Sequence, residues 1–153
     1  MNNTRRDTMT SVGLLLLRLF VGFGLAAHGY TKFFGEHGIA GFAGFLKSLG
    51  VPSPETMAYV SAGTELVGGV LVAIGLLTRL ASVPLAFNMF VAVITVHRAS
   101  YFITNTPPGM EYALNLGIVF LALVFTGPGK YSVDQCLFCR NRSSPPLPGP
   151  ASA

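Results

Sequence analysis

Residues 11–34 read SVGLLLLRLFVGFGLAAHGYTKFF. From Ser11 to Ala27 a single charged side chain, Arg18, interrupts an apolar run, and His28 and Lys32 follow near its far end. At a helical rise of 1.5 Å per residue such a segment spans the roughly 30 Å hydrocarbon core of a bilayer. This reading decides the fold class, because three further runs share its character. They extend from Pro54 to Leu77, from Leu80 to Val96 and from Met110 to Thr126. The expected architecture is an all-α integral membrane bundle of four transmembrane helices.

The composition agrees. The chain has 153 residues, 51% of them hydrophobic and 10% charged, where a soluble domain carries about 25% charge. Mean hydropathy is +0.58. The four runs occupy residues 11–130 and leave no room for a separate soluble domain. Residues 1–10 read as a polar tail, and residues 131–153 as a second tail ending in a disordered Ser- and Pro-rich stretch. Arg5 and Arg6 precede the first run, but no clear cleavage site follows it, so a retained first helix is expected rather than a signal peptide.

Local signals set the boundaries. Gly35 ends the first run. Between Gly35 and Ser53, Ile39, Phe42, Phe45, Leu46 and Leu49 recur at helical spacing, with Lys47 and Ser48 off that stripe. This predicts a short amphipathic helix lying on the membrane surface, or a segment packed over the bundle. Ser53 is expected as N-cap and Pro54 as first residue of the second span. Thr78 and Arg79 read as a very short turn. Gly127-Pro128-Gly129 stops the fourth span. Gly22, Gly29, Gly68 and Gly69 would allow close helix contact.

The net charge is +4. No basic cluster is interleaved with exposed aromatics, so nucleic acid is not an expected partner. The cations flank apolar runs and report topology instead. Arg5, Arg6, Arg79, Lys130, Arg140 and Arg142 fall on the side of the termini, against Lys32, Lys47 and Arg98 on the other. The bias places both termini in the cytoplasm of a cell whose inner (plasma) membrane holds the protein.

Ionisable side chains inside a membrane are costly, at about 2.5–3.5 kcal/mol near mid-span by insertion scales, and normally face the bundle interior and pair. Glu65 lies near mid-membrane and Arg18 about a turn and a half from it, so the two are expected to pair directly or through water. Arg18 and Lys32 are about 40° apart around the first helix. Glu111 and Asn115 share one face of the fourth span. The expected site is an outward-opening polar pocket. Glu65 and Glu111 would serve as acid/base groups, Arg18 as an anchoring charge, His28 and His97 as proton carriers, and Lys32, Asn88 and Asn115 as lining. The other reading of the same residues is an ion-pair network that only fixes helix register.

Two further readings of the ligating residues stay open. The two glutamates and two histidines lack the Glu-x-x-His pairs of di-metal bundles, so no metal is expected. Cys136 and Cys139 form a C-x-x-C that reads as a redox dithiol, as two reduced thiols, or as half of a shared zinc site.

The order of motifs resembles the DoxX family of small bacterial four-span membrane proteins. The residues that carry the likeness are Arg18-Leu19, His28-Gly29 and Lys32, then Glu65-Leu66 with Gly68-Gly69. Gly75-Leu76-Leu77-Thr78-Arg79, Glu111 and Gly127-Pro128-Gly129-Lys130-Tyr131-Ser132 complete it. The resemblance covers about Leu14 to Val133 and supports Arg18, Glu65 and Glu111 as a shared polar core. It implies a membrane subunit of a thiosulfate:quinone-type oxidoreductase, or a partner in complexes linked to thiol or oxidative-stress chemistry. The chain carries no nucleotide loop, flavin fingerprint or haem attachment motif. A redox role would therefore use a diffusible quinone or a partner's cofactor, with a sulfur compound or other small molecule as reductant. A partner protein or a homo-oligomer is expected, in a lipid bilayer. A non-catalytic anchor that assembles redox enzymes and a small-solute carrier are the alternatives.

Overall fold

The structure is a computed structural model; it describes residues 3–96, 101–102 and 109–138. Among them the elements are all helices: α1 (Asn3–Phe34), α2 (Gly38–Ser48), α3 (Pro54–Ile74), α4 (Thr78–Thr95), α5 (Glu111–Thr126) and α6 (Val133–Phe138). The protein is an all-α membrane helical bundle. α1, α3 and α4 are long and apolar enough to cross a bilayer, and α5 is a shorter apolar helix. Large apolar side chains face outward, with Phe20, Phe23 and Phe125 each at least 74% exposed. Such surfaces suit lipid and not water.

α1 and α3 form the tightest pair, and glycines are the reason. A Cβ at Gly69 would stand 2.6 Å from the Ala26 amide nitrogen, and one at Gly22 2.6 Å from that of Ala73. Gly29 lies equally close against the Leu66 backbone. Where lipid tails are as apolar as leucine, helix association rests on such backbone-to-backbone packing. Gly68 turns instead toward Leu85 of α4. The core beside this seam holds Leu25, Val72, Leu85, Phe120 and Leu123.

The amphipathic segment forms α2 and packs on α3. Ala43 and Leu46 meet Ala58 there, with Ile39, Phe42 and Val51 around them. Phe45 and Leu49 of the predicted stripe stay exposed.

Several boundaries differ from those read in the sequence. α1 starts at Asn3, so the helix already includes residues 3–10 of the polar tail. Nothing in that stretch breaks a helix, and Thr10 and Ser11 hydroxyls donate to the carbonyls of Arg6 and Asp7. Ser53 occupies the N-cap of α3, but in left-handed conformation and without a side-chain cap bond. The turn between α3 and α4 is Gly75–Leu77, and Thr78 and Arg79 already belong to α4. Gly75 closes α3 at φ 75°, with the amides of Gly75 and Leu76 both donating to the Leu71 carbonyl.

The cap of α4 comes from far along the chain. Asp134 of α6 accepts from the amides of Leu77 (2.7 Å) and Thr78 (3.2 Å). The Asp134 amide in turn donates to the Gly75 carbonyl at 3.0 Å. A carboxylate at a helix N-terminus satisfies orphan amides and the positive end of the dipole. It also holds Leu77 at φ 50°, a conformation that disfavours non-glycine residues. Residues 131–138, the described part of the expected second tail, thus pack onto the bundle end through Tyr131 and Asp134.

Candidate functional site

A cavity of about 450 Å³ opens in the half of the bundle away from the start of α1 and from α6. Its walls come from five helices: the end of α1, α2, the first half of α3, the second half of α4 and the start of α5. They are largely apolar, with Leu25, Phe42, Leu46, Val60, Phe87 and Met89 among them. Val60 and Phe87 are themselves exposed, so the cavity reaches the outer surface between α3 and α4. Pro84, inside α4, lines the same gap.

A polar cluster closes the inner end. Glu65 Oε1 accepts from Lys32 Nζ at 2.6 Å and from Asn88 Nδ2 at 2.9 Å. Glu65 is 3% exposed. Its second oxygen, Oε2, is buried and has no hydrogen-bond partner among the described residues. Leaving a buried acceptor unmade costs about 1–3 kcal/mol, and more for a charged one. The Lys32 ammonium also lies 4.5 Å from the centre of the Phe42 ring, so α2 helps to hold it. His28, exposed at the rim, packs its ring against Tyr112 at 5.7 Å between centroids. Tyr112 lines the cavity as well. Ser61, Thr64 and Thr95 add hydroxyls to the lining.

The geometry brings together Glu65, Lys32, Asn88 and His28 from the predicted set. It moves Arg18, Glu111 and Asn115 out of the pocket. Arg18 is fully buried, but it donates through Nη2 to the Tyr131 carbonyl (2.5 Å) and packs against Gly75 and Ser132. The expected Arg18–Glu65 pair is therefore absent: each binds elsewhere. Fourteen residues separate Arg18 from Lys32, which is about 21 Å along the axis. They share a face of α1 and serve opposite ends of it.

Glu111 and Asn115 do share a face of α5, as read, but it is not the pocket face. Asn115 is exposed, and Tyr112 and Ala113 line the cavity in their place. His97 lies outside the described residues, as does Cys139. Cys136 is a free, exposed thiol on α6, remote in sequence and in the fold from the cavity.

Tyr112 is the residue that sequence reasoning missed. An aromatic at a helix start reads as a member of the interfacial belt. The neighbouring Glu111 carried the stronger chemical signal, and one residue is about 100° of helix.

Known proteins place the chain. The family model described as DoxX matches residues 13–98. The chain is 41% identical over 127 residues to "Putative oxidoreductase CatD" of Bacillus subtilis, covering 83% of this chain and 88% of that protein. It is 31% identical over 137 residues to "Inner membrane protein YqjF" of Escherichia coli, covering 84% of this chain and 95% of that one. The match to "Inner membrane protein YphA" of the same organism is 30% over 126 residues, covering 80% and 88%. No solved structure matches the chain. With a family match over more than half its length and relatives aligned across most of theirs, the chain belongs to the DoxX family of membrane proteins.

Proposed function

We propose that the protein is a membrane subunit of a quinone-linked oxidoreductase and that the cavity receives the quinone ring. The observation that carries this reading is an apolar cavity that reaches the outer surface between α3 and α4 and ends on the Lys32–Glu65–Asn88 cluster. An apolar ring with two polar oxygens fits such a cavity, since most of its lining is hydrophobic and a few polar groups fix orientation. A ring arriving from the bilayer would pass Val60 and Phe87 and meet the cluster oxygen-first. Lys32 has further N–H donors for a carbonyl, and Glu65 is placed to hold or release a proton.

Conversion of quinone to hydroquinone takes two electrons and two protons. The electrons would come from a partner protein's cofactor or from a small reductant, such as a sulfur compound. Protons would pass between Glu65 and the rim, where His28 and Tyr112 stand together. The printed name of the Bacillus relative supports the oxidoreductase part of the reading. The positive-inside bias supports cytoplasmic termini and a cavity near the outer face of an inner membrane.

Equilibrium binding of decylubiquinone to the purified protein in lipid nanodiscs tests the proposal. Saturable binding is expected. Asn88→Leu should weaken it about fivefold, because the Glu65 carboxylate loses the 2.9 Å donor that helps to hold it at the cavity, while Cys136→Ser leaves it unchanged. Non-saturable uptake equal to that of empty nanodiscs would favour the anchor role instead.

A further inference from the structure

α2 contributes more to the cavity than a wall. Lys32, on the last turn of α1, donates to Glu65 Oε1 at 2.6 Å, and the same Nζ lies over the Phe42 ring, 4.5 Å from its centre. Both side chains line the cavity. Phe42 is carried there by α2, which Ala43 and Leu46 seat against Ala58 of α3. A lysine ammonium is a strongly hydrated charge on a flexible four-carbon stem. Lys32 stands near the end of its span with a side chain 24% exposed, so its competing position is out among headgroups and water. An aromatic face attracts a cation through its quadrupole, and more strongly where water is kept away. Two attractions therefore hold the ammonium at the cavity, one from Glu65 of α3 and one from Phe42 of α2.

We propose that Phe42 is a positioning residue of this site: its ring face holds the Lys32 ammonium at the cavity, where the ammonium meets a ligand oxygen. This rests on the reading of the cavity as a quinone site and adds α2 to the elements that make it. An ammonium has three donors, so the N–H given to Glu65 leaves others for a carbonyl. Phe42 acts through Lys32 and not by contact with the quinone ring. What position 42 requires is an electron-rich face. An aliphatic side chain fills the same wall and leaves Lys32 free to swing out. A helix that reads in the sequence as a membrane-surface segment thereby sets the affinity of a site inside the bundle.

Decylubiquinone binding in nanodiscs, measured across a fluorination series at position 42, separates this role from packing. Mono-, di- and trifluorophenylalanine keep nearly the size and apolarity of the ring and progressively weaken the negative charge on its face. Affinity should fall stepwise, to about fivefold below the parent with the trifluoro ring, and by a similar amount in Phe42→Leu. Trace acetylation of lysines in the same samples without quinone reads Lys32 directly, with the exposed Lys47 of α2 as reference. The Lys32-to-Lys47 labelling ratio should rise about threefold across the series. A flat affinity series would mean that Phe42 only packs, and would overturn the proposal while leaving a quinone site standing. Falling affinity with an unchanged labelling ratio would mean that the ring stacks on the quinone itself, which overturns the positioning role as well. A parent protein that binds no quinone would overturn both this role and the site it rests on.

Discussion

Replacement of Glu65 by alanine should abolish saturable quinone binding and lower the stability of the bundle by about 3 kcal/mol. The second figure follows from what remains. Lys32 would lose its partner at 2.6 Å, and Asn88 would lose its acceptor at 2.9 Å. Breaking a buried ion pair from one side costs about 3–5 kcal/mol. The low end applies here because the Lys32 side chain is 24% exposed and can swing toward the headgroups. Thermal unfolding in detergent should show a drop of about 5–10 °C. The double variant Lys32→Met/Glu65→Leu separates the two effects. It removes both charges at once, so stability should return to within about 1 kcal/mol of the parent, while binding stays lost. A double variant as unstable as Glu65→Ala would mean that the pair is not the source of the cost.

The second large effect concerns the α1–α3 seam. Gly69→Leu should prevent formation of the native bundle, read as loss of the monodisperse gel-filtration peak and of cooperative thermal unfolding. The new Cβ would meet the Ala26 amide nitrogen at 2.6 Å and the Gly22 carbonyl oxygen at 2.7 Å. These are backbone atoms of a long helix, so no rotamer change relieves them. The expected destabilisation exceeds the roughly 1–3 kcal/mol of ordinary overpacking. Gly24→Leu and Gly63→Leu are the controls, because a Cβ at either position has nothing within 4 Å. Both should purify like the parent. If they fail equally, leucine rather than the seam is responsible.

How much of this was legible in the sequence depends on how local each cause is. The spans were legible because hydrophobic length is a local property, and so was the amphipathic α2. The seam glycines were legible as small residues on apolar helices, although which backbone each would meet was not. Glu65 stood out because a carboxylate at mid-span demands an explanation. Its partner did not, since Lys32 and Asn88 lie 33 and 23 residues away and reach it only once three helices are packed. Arg18 misled for the same reason. Its acceptor, the Tyr131 carbonyl, is 113 residues distant and sits on a turn that no span pattern reveals. The start of α4 was misplaced by two residues because its cap is Asp134, which folds back from α6. On α5 the error was one of phase: Glu111 and Tyr112 are adjacent in sequence and about 100° apart on the helix.

Two polar centres at opposite ends of the bundle follow from these corrections. Arg18, Asp134, Gly75 and residues 127–132 tie the helices together at the end that carries the start of α1 and α6. Glu65, Lys32 and Asn88 stand at the base of the open cavity. Both ends retain buried polar atoms without a partner among the described residues, Arg18 Nε and Nη1 at the first and Glu65 Oε2 at the second, but only the second borders the cavity, which is why we propose function there.

The most direct test of that assignment is to locate a quinone on the protein. Membranes containing the full chain would be irradiated with an azido-quinone, and the labelled residues mapped by peptide mass spectrometry, with and without excess hydroquinone as competitor. The account predicts competed labels confined to residues 57–65 of α3 and 84–92 of α4. Labels spread over the lipid-facing surface, or labels that excess hydroquinone does not displace, would contradict it.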